Sequence, residues 1–110
     1  MITQAKFPVS LTGRAADFLR ATPELRDKFL QILDGLDSLL TQSGAKYDIR
    51  AALTTDLEDP EWSAVEVKVD ISNKDYREIL RMWDEASRMV YSLLERRLSK
   101  KLYVIFSRAG

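Results

Sequence analysis

The chain has 110 residues, with 17 Lys and Arg balancing 17 Asp and Glu, and it contains neither cysteine nor histidine. That length supports a single globular domain over residues 1-110, which on folding removes roughly two thirds of its unfolded surface from water; a balanced charge gives no overall field to draw the molecule to nucleic acid or an anionic membrane. Lack of cysteine and histidine excludes disulfides, thiolate nucleophiles, Ser-His triads and thiolate or imidazole metal ligands, so the expectation is a non-enzymatic cytoplasmic protein with no cofactor and no catalytic or metal-binding residue.

In chain order, Phe7, Val9 and Leu11 alternate with Lys6, Pro8 and Ser10. This is a strand pattern that Pro8 keeps away from the centre of a sheet. The segment from Met1 to Leu11 has no apolar region long enough for export and reads as the start of the mature domain. A short helix is expected from Thr12 to Arg20, burying Ala15, Phe18 and Leu19, with a boundary at Thr22-Pro23. Thr22 is expected to cap a second helix through its side chain, with Pro23 in the first turn and Glu24 opposing the helix dipole. In that helix Leu25, Phe29, Ile32, Leu33, Leu36, Leu39 and Leu40 recur at spacings of three and four until Ser43-Gly44 stops it. Gly35 inside it costs about 1 kcal/mol relative to alanine and marks either close packing or a bend.

Tyr47 to Leu53 and Val65 to Ile71 each alternate apolar with polar residues, as strands with one wet face do. The acidic loop holding Asp56, Glu58, Asp59, Pro60 and Glu61 joins them as a hairpin. Its carboxylates lack the glycine and spacing of an EF-hand, and a solvated connection is favoured over a cation site.

A third helix is expected from a cap at Ser72 or Asn73 through Leu98, about seven turns. Its inner face is Tyr76, Ile79, Leu80, Trp83, Ala86 and Val90, continued by Leu94 and Leu98; the pairs Arg81 with Glu85 and Asp84 with Arg88 lie outside. Met82, Met89 and Leu93 widen its apolar arc to about 200°, against the roughly 100° that a helix covering one sheet needs. That flank is satisfied by the helix holding Leu25 to Leu40 or by a second subunit. Leu102 to Phe106 closes the chain as a strand apolar on both faces, so it is either interior or covered by the N-terminal segment or another chain.

The sum is an α+β two-layer sandwich, with a three- or four-stranded mainly antiparallel sheet, helices on one face and element order (β)ααββαβ. With Phe7 to Leu11 counted as a strand, this order resembles that of ferredoxin-like folds, which host many functions and so imply none. The apolar runs are far shorter than the roughly 20 residues of a membrane span. No phosphate-cradling glycine motif can be placed on Gly13, Gly35, Gly44 or Gly110.

Surplus apolar surface combined with absent chemistry points to a protein-interaction or regulatory domain that binds a protein partner, chiefly itself as a homodimer. The candidate interface is Met82, Met89, Leu93, Tyr103 and Ile105. The alternative is an accessory nucleic-acid binder using Arg96, Arg97, Lys100 and Lys101. Glu66, Lys68 and Asp70 on the wet face leave too few aromatics for base stacking, which sets aside one mode of RNA recognition.

Overall fold

The computed structural model describes residues 9–55, 58 and 62–109. Its elements are β1 (Val9–Leu11), α1 (Gly13–Ala21), α2 (Pro23–Gln42), β2 (Tyr47–Thr55), β3 (Ser63–Ile71), α3 (Tyr76–Leu93) and β4 (Leu102–Arg108). The strands form one sheet in the order β1-β2-β3-β4. Only the central β2–β3 pair is antiparallel; β1–β2 and β3–β4 are parallel. The expectation of a mainly antiparallel sheet is therefore corrected to a mixed one. The reason is connectivity: a hairpin returns the chain antiparallel, whereas a strand that follows a helix back across the sheet lies parallel to the strand before it. The resemblance to ferredoxin-like folds goes no further than element order, since each helical connection here joins adjacent strands.

All three helices cover one sheet face, where Ile49, Val65, Val67, Val69, Leu102 and Phe106 meet Leu19, Phe29, Ile32 and Ile79 in a single core. Both crossovers step in the same direction over this face while strand direction reverses at the hairpin. They therefore have opposite hands, and one is of the left-handed kind rare among parallel connections.

Local signals explain most boundaries. Thr12 caps α1 by accepting from Ala15 N at 3.2 Å. Thr22 precedes α2 with no side-chain bond, contrary to expectation, while Pro23 and Glu24 occupy the first turn. The end of α2 closes on Gly44 at φ +67, where Ala45 N donates to Leu40 O and Gly44 N to Thr41 O, the paired bonds of a Schellman stop.

The cap of α3 is Asp75, whose side chain accepts from Glu78 N at 2.8 Å, rather than Ser72 or Asn73. Asn73 instead ties the two ends of the hairpin, accepting from Lys46 N at 2.7 Å and donating to Gly44 O at 2.9 Å. α3 is 18 residues long, shorter than expected, and leaves helical geometry at Leu94. Its length of about 27 Å matches strands of about 30 Å, which a helix running on to Leu98 would overshoot by several ångströms. Leu98 still reaches the core, from a turn in which Leu98 N donates to Glu95 O. Of the two expected ion pairs on this helix Asp84–Arg88 forms, at 3.0 Å, whereas Arg81–Glu85 is not among the ion pairs of the described residues.

The flank holding Met82 and Met89 packs on α2. A Cβ placed on Gly35 would lie 2.0 Å from the Met89 sulfur, so the glycine leaves the space that the thioether fills. Met82 is buried, and Met89 and Leu93 are half-buried against the core. Close packing, not a bend, accounts for Gly35.

Candidate interaction groove

β4 is an edge strand, not an interior one. Its register against β3, with Val65 N donating to Lys101 O and Ala109 N to Ile71 O, turns the backbone groups of Tyr103, Ile105 and Ser107 toward β3. The N–H and C=O groups of Leu102, Val104, Phe106 and Arg108 consequently point off the sheet. Among the described residues one of them has a protein partner: the Val104 carbonyl accepts from Trp83 Nε1 at 2.9 Å.

Above this edge runs a stripe of α3. Tyr76, Leu80, Trp83, Ser87, Tyr91 and Leu94 recur at spacings of four, three, four, four and three, which keeps them within an arc of about 80° on the flank opposite to α2. Tyr76 is 65% exposed, Leu80 42% and Tyr91 77%; the other large apolar residue left exposed among those described is Trp62. Tyr76, Leu80 and Trp83 were expected on the buried face. They lie outward because α3 sits over the last strand, and the side of the helix beyond that strand has no sheet beneath it. Trp83 is half-buried, with its ring against the core and its N–H spent on the edge.

At the carboxyl end of α3 the groove deepens into a hollow of about 120 Å³ between Val90, Tyr91 and Leu94 on one side and Leu102 and Val104 on the other. That approaches the roughly 150 Å³ of an apolar cavity that takes up benzene. The hollow therefore has room for one aliphatic side chain.

The uncovered sheet face is largely polar and in part paired internally. Asp70 accepts from Arg50 at 2.8 Å and from the Ser107 hydroxyl in a short bond, and these hold its carboxyl below the usual range, the Ser107 bond contributing most. Tyr103 donates to Glu66 at 3.4 Å, and Ile105 stands beside Lys68 in the β3–β4 register; both are half-buried on this face. The five expected interface residues are thus not contiguous: Met82, Met89 and Leu93 lie on the side of α3 toward α2, while Tyr103 and Ile105 lie beneath the sheet. A broad depression of about 440 Å³ beside the end of β1 is bordered by Arg50, Glu66 and Lys68. Arg50 is already engaged there by Asp70.

The basic cluster is partly committed. Arg97 bonds Glu24 and, at 3.1 Å, Glu95, and the Lys101 ammonium stands 5.9 Å from the centroid of the Phe18 ring. Arg96 and Lys100 are exposed and outside the ion pairs of the described residues. Of the acidic loop, Asp56, Asp59 and Glu61 lie outside the described residues, as does Phe7 of the expected first strand. Among the described residues no group of three or more carboxylates is placed to hold a metal ion.

No family model, curated protein or solved structure matches this chain. The groove is therefore interpreted from its own chemistry. No helix among the described residues is long and apolar enough to cross a membrane.

Proposed function

We propose that this chain is a non-enzymatic protein-interaction domain that docks its partner in the groove between α3 and β4. The observation that carries this reading is the coincidence of two unmet demands in one place. An apolar stripe is left exposed on α3, and directly beside it runs a seven-residue strand edge whose outward groups are all but unpartnered. Exposed apolar stripes and open strand edges are each features that folded domains ordinarily cover, and together they form a docking surface. The composition, which supplies neither thiol nor imidazole, directs the reading away from catalysis.

Self-association is the second reading, and Ile105 favours it. In an antiparallel β4–β4 pair about a two-fold axis, Ile105 faces its own copy and the outward groups of Val104 meet those of Phe106. The ends of the strand oppose it: the same register sets Arg108 opposite Leu102 of the second copy with Lys101 one place further along, so cations of the two copies crowd together at each end of the pair.

The test compares the unaltered protein with a Leu80→Asp, Tyr91→Asp double variant, on an array of random heptapeptides and in sedimentation at micromolar concentration. Both positions are exposed, so the fold tolerates the change. The reading expects peptide binding or a dimer that the variant loses. A strict monomer that binds nothing, or binding that the variant retains in full, contradicts it.

A further inference from the structure

We propose that the groove binds an extended, acidic segment of another protein, added to β4 as a fifth strand with one apolar side chain lowered into the hollow beside Tyr91. This rests on the interaction reading above and specifies the partner.

The backbone decides that the partner is extended. The floor of the groove is a row of N–H and C=O groups on alternate residues, Leu102, Val104, Phe106 and Arg108, of which the Val104 carbonyl already accepts from Trp83 Nε1 and keeps a second lone pair for a partner. A docked helix satisfies its own backbone internally and would cover this row without supplying partners, leaving buried donors and acceptors unpaired. A strand has the matching repeat, and main-chain bonds then provide affinity while side-chain hollows provide selectivity. β4 has seven residues, so the segment engaged is about seven residues long.

The hollow decides one of its side chains. Its walls are Val90, Leu94, Leu102 and Val104, with Tyr91 as the outer rim, and it lies beside the first residues of β4. Successive residues of an added strand point alternately above and below the sheet. Those on the helix side run under the stripe of Leu80, Ser87 and Tyr91, and one reaches the hollow.

Charge decides the rest. Arg96 and Lys100 stand in the turn leading into β4, Arg108 is its last residue, and Arg77 lies in the first turn of α3; all four are exposed. Of the neighbouring carboxylates, Asp84 pairs with Arg88 and Glu78 with Lys74, Glu95 shares Arg97 with Glu24, and Asp75 accepts the Glu78 N–H as the cap of α3, so the cations still outnumber them. The groove therefore has unbalanced cations at both ends, which oppose a second copy of β4 and attract carboxylates on a partner strand.

The experiment uses the full chain and immobilised heptapeptides with Val or Leu at alternate positions. The intervening positions are all Asp/Glu, all Ser/Thr or all Lys/Arg, and each set is repeated with proline at the centre. The acidic set is expected to bind at least tenfold more tightly than the Lys/Arg set, to weaken as salt rises, and to lose at least tenfold on central proline. A Lys100→Glu, Arg108→Glu variant reverses the charge preference, and the Leu80→Asp, Tyr91→Asp variant abolishes binding. Groove-dependent binding that ignores peptide charge or proline overturns this inference and leaves the interaction reading standing. A dimer that seals the β4 edge overturns it in favour of a second copy, and a monomer that binds none of the sets overturns both.

Discussion

Replacing Gly35 by alanine tests the packing of α3 on α2 through its dependence on Met89. In an ordinary helix interior the change stabilises by about 1 kcal/mol, because alanine is the better helix former. Here the new Cβ would stand 2.0 Å from Met89 Sδ and 3.1 Å from its Cε, whereas carbon contacts settle near 3.5–4.0 Å. The sulfur must retreat by about 1.5 Å or more. Methionine can do so by changing rotamer, since the crowded atoms are the far end of a flexible, half-buried side chain, at a cost of about 1 kcal/mol. Gly35→Ala alone is therefore expected to leave stability unchanged to within about 0.5 kcal/mol, the rotamer cost offsetting the helix gain. In a Met89→Ala background the obstruction is gone, and the same substitution should stabilise by about 1 kcal/mol. The resulting coupling of about 1 kcal/mol falls within the range for residues in contact. Equilibrium urea unfolding of the four proteins at a common m-value reads it directly. Equal stabilisation in both backgrounds would refute the placement of Met89 over Gly35.

Three further outcomes follow from the geometry. Trp83→Phe removes the indole bond to Val104 O and should cost about 0.5–1.5 kcal/mol in urea unfolding, since water can reach the freed carbonyl at an open edge; a loss of about 3 kcal/mol, as for a sealed acceptor, would contradict that openness. Asp70 is held below its usual range, so its contribution to stability is present above the unfolded carboxyl value near 4 and lost as pH falls through the depressed one. Ser107→Ala should move the Asp70 midpoint in an NMR titration upward, and an unchanged midpoint would remove Ser107 as the main cause. Tyr47 donates to Asp37 at 2.6 Å, and burial first, then this bond and the nearby carboxylate, push its hydroxyl up to about 12. Its contribution is present below the unfolded value near 10 and lost as pH rises through about 12. Asp37→Asn should lower the midpoint of phenolate absorbance without restoring the ordinary value; no change would contradict the pairing.

Local chemistry made most of the elements readable. The spacing from Leu25 to Leu40, the Pro23 start and the Gly44 stop defined α2, and period-two alternation defined β2 and β3. Strand order was not readable, because it depends on which faces meet after the helices cross the sheet. Leu102 to Phe106 is apolar on both sides, as an interior strand would be, yet β4 is an edge. Its second apolar face, Tyr103 and Ile105, lies half-buried among the longer side chains of the polar sheet face.

The width of the apolar arc on α3 was legible, but the side left uncovered was not. Periodicity alone does not show which flank faces α2. The methionine side found its partner there, and Tyr76, Leu80 and Tyr91 on the other side did not. Exposure of three large apolar residues at helical spacing became meaningful only beside an open strand edge.

Amide hydrogen exchange along β4, resolved residue by residue by NMR in the free protein, tests the central claim most directly. The account predicts alternation: slow exchange at Tyr103, Ile105, Ser107 and Ala109, whose N–H groups face β3, and fast exchange at Leu102, Val104, Phe106 and Arg108, whose N–H groups face the groove. Uniform protection along the strand would show the edge already sealed and would contradict a groove waiting for a partner.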